Sequence, residues 1–189
     1  MCGTMGALVF FYIILPIPLC FILHNAEAAA TLQGWMRRNE SGLTKRFPRF
    51  EKLIRHFGKL NTLAFSIAAI GELLVALLII VFLIVLECDY AVWVFTCLYL
   101  ALWVRFIANT ILAVVIRKYV PGLITSIITV AYMTCTIMPL HPFFQWHEIV
   151  LFALAGTVFM VANMIVAHRI GISVSGYIRY KLQNRKKNI

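Results

Sequence analysis

The residues best suited to chemistry are His24 and Glu27, at the end of the first long hydrophobic run of the chain. Their spacing of three places both side chains on one side of a helix. A carboxylate that accepts from an imidazole sets its tautomer and raises its basicity, which suits general acid–base catalysis. The alternative is a neutral, hydrogen-bonded histidine with a structural role. A metal site needs three or four ligands, so we predict no metal here.

Four further polar residues interrupt the later hydrophobic runs, and they are Glu72, Arg105, Asn109 and Asn163. An unpaired charge at membrane depth is costly, so we expect Glu72 and Arg105 to neutralise each other. In one interpretation this pair stabilises charge in a reaction while the asparagines position a substrate. In the alternative, all four residues are contacts between helices, each hydrogen bond contributing ~1 kcal/mol.

Together these residues predict one polar pocket inside the membrane, open towards the cytoplasmic side. The candidate catalytic residues are His24, Glu27, Glu72 and Arg105, and the candidate substrate-binding residues are Asn109, Tyr119 and Asn163. The sequence predicts no particular cofactor and does not decide whether the protein is an enzyme.

The composition indicates that membrane-spanning helices position these residues. Of the 189 residues, 62% are hydrophobic and 13% are charged, and the mean hydropathy is +0.92. A soluble domain is roughly half apolar and a quarter charged. Five runs are long enough to cross ~30 Å of hydrocarbon, which takes ~20 helical residues. They cover residues 6–30, 62–86, 90–116, 120–138 and 149–170, so we predict a single all-α membrane domain of about five spans.

The distribution of Lys and Arg predicts the topology. The link 31–61 and the segment after the fifth run are basic, and Arg117 and Lys118 follow the third run. The link 139–148 has no Lys or Arg. The positive-inside rule therefore places the N-terminus outside and the C-terminus in the cytoplasm. This topology accounts for the net charge of +10 without a nucleic-acid partner.

The first run has a second interpretation as a secretory signal, because small residues near Ala28 resemble a cleavage site. The first ten residues contain no Lys or Arg, so the positive region of such a signal is missing. As a span, the run places Cys2 on the same outer side as Cys88. Whether these two cysteines form a disulfide stays open.

Residues 47–60 predict an amphipathic helix on the cytoplasmic surface. An apolar stripe recurs at helical spacing, with basic side chains on the opposite face. The stripe consists of Phe50, Leu53, Ile54 and Phe57. This pattern is typical of a helix lying on an anionic leaflet, and the alternative is a solvated basic linker.

The chain ends in a basic cytoplasmic tail, residues 171–189. Lys186 and Lys187 stand fourth and third from the end, where they resemble the dilysine retrieval signal of endoplasmic-reticulum membrane proteins. That interpretation requires a eukaryotic origin. The alternative is an ordinary basic tail of a plasma-membrane or inner-membrane protein.

Two functions of different classes fit these observations. The first is acid–base chemistry on a lipid-like or apolar substrate in the polar pocket. The second is non-catalytic binding of lipid, a membrane partner or another copy, with the polar residues serving helix packing. A transporter has less support, because the five runs show no repeat or broken helix.

The chain resembles the HXXEE-domain family of small multi-pass membrane proteins. The resemblance is carried by His24-x-x-Glu27 and by the stretch from Arg117 to Gly122, Arg-Lys-Tyr-Val-Pro-Gly. It covers most of the first four runs and implies the same fold and motif, in a family of obscure function. The chain departs from the motif at Ala28, which replaces its second glutamate. It also lacks a family histidine on the third run, near whose position Asn109 stands.

Overall fold

The computed structural model describes residues 16–85, 91–137 and 145–187, and every element in these ranges is a helix. The α-helices are α1 (Pro16–Arg46), α2 (Glu51–Lys59), α3 (Thr62–Val85), α4 (Ala91–Ile116), α5 (Leu123–Ile137) and α6 (Trp146–Lys187), with a 3-10 turn at Pro48–Phe50. The predicted all-α class is confirmed. Cys2 and Cys88 lie outside the described residues.

Three helices in the described part of the chain are long and apolar enough to cross a membrane. Their apolar segments are Thr62–Val81 in α3, Trp93–Ile116 in α4 and Trp146–Asn184 in α6. Helix α5 is a shorter apolar helix, Leu123–Thr136. The predicted first span, 6–30, is described only from Pro16 onwards. The protein is therefore a helical membrane protein.

Two helices continue well past the ends of the predicted spans. Helix α1 extends to Arg46 rather than 30, and α6 extends to Lys187 rather than 170. Hydropathy marks where a helix leaves the hydrocarbon, but it does not mark where the helix ends. Gln, Arg, Lys and Glu are good helix formers, and neither extension contains a proline.

Helix α6 joins α3 to α4, which barely touch each other. Its glycines allow close approach: a Cβ on Gly156 would collide with the Cys97 carbonyl of α4, and one on Gly171 with the Ala64 carbonyl of α3. Small residues are the usual means of close helix packing in membranes. The two glycines therefore fix where α6 crosses its neighbours.

The predicted amphipathic segment folds as the 3-10 turn followed by α2. Its apolar stripe divides, because Ile54 and Phe57 pack against the core cluster that contains Leu32, while Phe50 and Leu53 are 58% and 51% exposed. Packing on α1 thus takes half of the stripe. The other half remains at the surface.

The link between α4 and α5 consists of two tight turns. Arg117 ends α4 with φ 58°, and Lys118 N–H donates to the Ala113 carbonyl over 3.3 Å, the pattern of a Schellman cap. A second turn follows, with Pro121 and then Gly122 at φ 78° in its central positions. This order is that of a type II turn. Helix α5 therefore begins at Leu123 rather than at 120.

We expect Gly171→Ala to lower the free energy of unfolding by about 1–3 kcal/mol, because overpacking forces the helices apart. Gly176→Ala is the matched control on the same helix, since a Cβ there meets nothing within 4 Å and Ala is the better helix former. Thermal unfolding in a mild detergent measures both changes. Equal melting temperatures for the two variants would show that the α3–α6 contact is not close.

Candidate functional site

His24 lies buried between α1 and the start of α5. The residue is 5% exposed, and its Nδ1 lies 3.2 Å from the carbonyl oxygen of Gly122. The hydroxyls of Thr125 and Ser126 lie 3.3 Å and 3.2 Å from the same nitrogen. The ring packs edge-on against Phe106, with 4.9 Å between centroids. Because a carbonyl can only accept, a proton on Nδ1 satisfies this contact.

Glu27 caps the N-terminus of α5 from the neighbouring helix. Its carboxylate accepts from the backbone N–H groups of Ile124 and Thr125, at 3.2 Å and 2.9 Å, and from the Thr125 hydroxyl at 2.7 Å. The Tyr119 hydroxyl donates to it over 2.6 Å. The first N–H groups of a helix lack internal partners and carry a partial positive charge. The Glu27 carboxylate accepts hydrogen bonds from these N–H groups, and its negative charge interacts favourably with their partial positive charge.

The phenol of Tyr119 is the donor in its hydrogen bond to this carboxylate, so its protonation state matters. Burial and the hydrogen bond to Glu27 both raise the pKa of the Tyr119 phenol above its ordinary value. The phenol therefore keeps its proton at neutral pH. A protonated phenol and an ionised glutamate form the charge-assisted kind of hydrogen bond, which is the stronger kind.

His24 and Glu27 hold the same turn instead of each other. Thr125 lies between them, its hydroxyl donating to Glu27 and lying beside the Nδ1 of His24. The hydrogen bonds of the described residues include none between His24 and Glu27 directly. In the structure the Glu27 carboxylate therefore lies as a cap on α5, and its role in orienting His24 stays a prediction.

Gly122 is required twice in this arrangement. Its φ of 78° is unfavourable for residues with a Cβ. A Cβ placed there would also lie 2.5 Å from Cε1 of His24. The glycine of the Tyr-Val-Pro-Gly stretch thus packs directly against the histidine of the His-x-x-Glu motif, and the contact leaves no room for a side chain on the glycine.

Asn109 joins the same cluster from α4. Its amide donates to the Pro121 carbonyl over 3.2 Å and to the Ser126 hydroxyl over 3.0 Å. Five of the residues around this turn, His24, Glu27, Asn109, Tyr119 and Thr125, are called the α5 clamp below. The clamp contains four of the seven predicted site residues.

The rest of α1 fastens the same link further along. Trp35 donates from its indole to the Tyr119 carbonyl over 2.5 Å. Arg46 donates to the carbonyls of Val115 and Ile116, at 3.1 Å each, at the end of α4. Cations at a helix C-terminus donate hydrogen bonds to the free carbonyls and interact favourably with the helix dipole. Helix α1 therefore braces both the end of α4 and the start of α5.

Glu72 and Arg105 form the predicted ion pair, 2.5 Å apart. The Glu72 side chain is 4% exposed and that of Arg105 is 18% exposed. Phe21 of α1 lies under the guanidinium, 5.4 Å from its ring centroid. Arg and Glu at this depth require such pairing.

A groove between α3 and α4 ends at this ion pair. It encloses about 60 Å³, is open along one side, and has Asn163 of α6 in its lining beside Glu72 and Arg105. The remaining lining is almost entirely apolar, with walls from α3 and α4 that include Leu73, Leu77, Ile80, Phe95, Leu98 and Leu102. The lining includes none of the clamp residues. The seven predicted site residues therefore fall into two groups, four in the clamp and three in the lining of the groove.

His168 is a site residue that the sequence did not reveal. Its side chain is 4% exposed, and its Nε2 lies 4.0 Å from Oε1 of Glu72. The available signal was its position one turn before Gly171 on the face of α6 that approaches α3. In the described part of the chain, no three His, Cys, Asp or Glu residues are grouped closely enough to hold a metal ion.

The fold and the two sites define an all-helical membrane protein in which a His-x-x-Glu motif on one helix caps another. The chain belongs to the family described as "Protein of unknown function with HXXEE motif", whose model matches residues 15–137. The match ends with α5 and includes the whole α5 clamp. No curated protein and no solved structure matches the chain.

Ala28, where the chain departs from the family motif, lies in apolar surroundings. Ala28 is 5% exposed and packs in a cluster with apolar residues of α3 and α4, among them Ala64 and Ala113. A carboxylate at this position would enter that apolar cluster. The cap on α5 is made by the first acidic position alone.

We expect Glu27→Ala to lower the free energy of unfolding by about 1–3 kcal/mol, because it leaves N–H and hydroxyl donors without their acceptor. Glu27→Gln retains an acceptor and should lose less. Glu51→Ala is the control, since its ion pair with Arg55 is exposed and such pairs contribute little. Unfolding in mixed micelles measures the three variants, and a Glu27→Ala protein as stable as the control would contradict the capping role.

A double-mutant cycle tests the contact between Gly122 and His24. Gly122→Ala should destabilise strongly in the native chain, because strain at positive φ adds to the collision with the imidazole. In a His24→Ala background the collision is gone. There, the loss of unfolding free energy caused by Gly122→Ala should be smaller than in the native chain by at least about 1 kcal/mol. Identical costs in both backgrounds would show that the ring does not press on the glycine.

Proposed function

We propose that this protein is a five-span membrane protein with the N-terminus outside and the C-terminus in the cytoplasm. Contacts between the basic segments support this topology. Arg46 reaches the end of α4, and His56 of α2 lies 5.9 Å, centroid to centroid, from His168 of α6. The basic segments thus gather at one end of the bundle, as the positive-inside rule requires of cytoplasmic segments.

We propose further that the protein binds a lipid-like amphiphile in the groove between α3 and α4. The observation that carries this proposal is an apolar groove that ends at a buried ion pair. From Glu72 to Ile80 the groove follows α3 for about 12 Å, the length of about ten carbons. The apolar walls suit contact with an acyl chain, and Arg105, Glu72 and Asn163 are the polar residues that its other end would meet.

Binding without catalysis is favoured over acid–base chemistry by the position of the histidine motif. The imidazole of His24 and the carboxylate of Glu27 are engaged with the turn before α5 and with its first residues. Neither lines the groove. The non-catalytic alternative from the sequence is therefore the one that the geometry supports better.

The groove is tested with a photoreactive diazirine amphiphile of about ten carbons, the chain length set by the helical rise along α3. We expect saturable labelling of the α3 and α4 peptides in purified protein. Leu77→Trp should weaken it at least about tenfold, or 1.4 kcal/mol, by filling the groove. Leu78→Trp is the matched control, because Leu78 is 67% exposed beside it. Labelling that does not saturate, or that both variants leave unchanged, would rule out the groove as a binding site.

A further inference from the structure

The polar end of the groove carries charges that cancel before any ligand binds. Glu72 pairs with Arg105, and each oxygen of its carboxylate faces a different partner. Oε2 contacts Arg105 of α4, and Oε1 faces Nε2 of His168 at 4.0 Å. Arg105 and the imidazole of His168 therefore share one carboxylate, and the charge of Arg105 alone neutralises it.

Arg105 is the member of this set that a ligand can reach. Its side chain is 18% exposed and lines the groove, whereas the side chains of Glu72 and His168 are each 4% exposed. A guanidinium binds carboxylate, phosphate or sulfonate groups with parallel hydrogen bonds. The accessible group at the end of the apolar groove is therefore an anion receptor.

An anion on Arg105 creates a deficit of one positive charge. Glu72 would then be a buried carboxylate without its ion-pair partner, a situation that costs several kcal/mol in proteins. A proton on the imidazole of His168 removes the deficit, because a cationic His168 faces the free oxygen of Glu72. The distance of 4.0 Å closes to a hydrogen bond with a small side-chain shift.

The other titratable groups near His168 come from three elements, and a fourth element places a histidine beside Arg105. Arg105 faces it from α4 and Glu72 from α3. His56 of α2 lies 5.9 Å away between ring centroids, on the side of the surface helix. On α1, His24 lies close enough to Arg105 to interact with its charge.

We propose that the groove binds an anionic amphiphile together with one proton, which is held by His168 against Glu72. The proposal rests on the proposed function of the groove and specifies its ligand class. No bond of the ligand is formed or broken. The proton comes from water, moves to Nε2 of His168, and returns when the ligand leaves. By linkage, the ligand and the proton strengthen each other's binding.

The test compares three competitors of the photoreactive probe, all with the same ten-carbon chain. Decanesulfonate stays anionic throughout the titration, decanol is neutral, and decyltrimethylammonium is cationic. Affinities are measured from about pH 8 to about pH 4, which brackets ordinary histidine titration. We expect decanesulfonate to bind best and to gain up to about tenfold in affinity per pH unit of acidification, the slope for one linked proton. Decanol should show no such slope.

Two variants and one control locate the proton. His168→Gln cannot hold a proton, so decanesulfonate should keep its weak, high-pH affinity at every pH. Glu72→Gln removes the buried negative charge, so binding should be tight and independent of pH. His147→Gln is the matched control at an exposed histidine of the same helix, and it should behave as the native chain. Monodisperse elution and a cooperative thermal transition establish that each variant is folded.

The outcomes separate this proposal from the proposed function. If no competitor displaces the probe at any pH, the groove itself is not a site and both proposals fail. If all three competitors displace it equally, the groove binds acyl chains but is not an anion receptor. If decanesulfonate keeps its pH slope in His168→Gln, the proton is held elsewhere and the role of His168 is overturned.

Discussion

The capping of α5 by the Glu27 carboxylate is the interaction on which the other contacts of the bundle depend. Helix α5 is short for a span, and its first N–H groups lie near apolar surroundings, where unsatisfied donors are expensive. Glu27 supplies the acceptor from α1, so α1 has a fixed position relative to the α4–α5 link. His24, Trp35 and Arg46 then extend this attachment along the same face of α1. One helix thus serves as the brace for two others.

The division of the polar residues into two sites changes what the family motif signifies in this chain. Motif residues are commonly assigned to chemistry because ionisable groups in a membrane usually have a function. Here the His-x-x-Glu pair and the Tyr-Val-Pro-Gly stretch form two halves of one contact, with Gly122 pressed against the imidazole. The groove has a different set of polar residues, Glu72, Arg105 and Asn163. Variants of the motif and variants of the proposed binding groove therefore change different residues.

The sequence was sufficient to predict the helices, the family and the ion pair between Glu72 and Arg105. Hydropathy defines apolar runs, and the cost of an isolated charge makes a pairing of two buried ions nearly obligatory. It was not sufficient for the partners of His24 or for the burial of His168. The position of a residue along its helix gives its height in the bundle, but residues at the same height can face different neighbours. His24 faces α5, whereas His168 faces Glu72 of α3.

By itself, the sequence determined that this is an all-helical membrane protein of the HXXEE family, because composition, run length and motif are properties of the chain alone. The tertiary structure decided which polar residues share a site. Glu27 became a cap because α1 lies across the start of α5, and Arg105 became the end of a groove because α6 holds α3 and α4 apart. Those are consequences of helix packing, in which close contact at glycines such as Gly156 and Gly171 fixes each crossing. Local spacing along one helix does not encode such crossings.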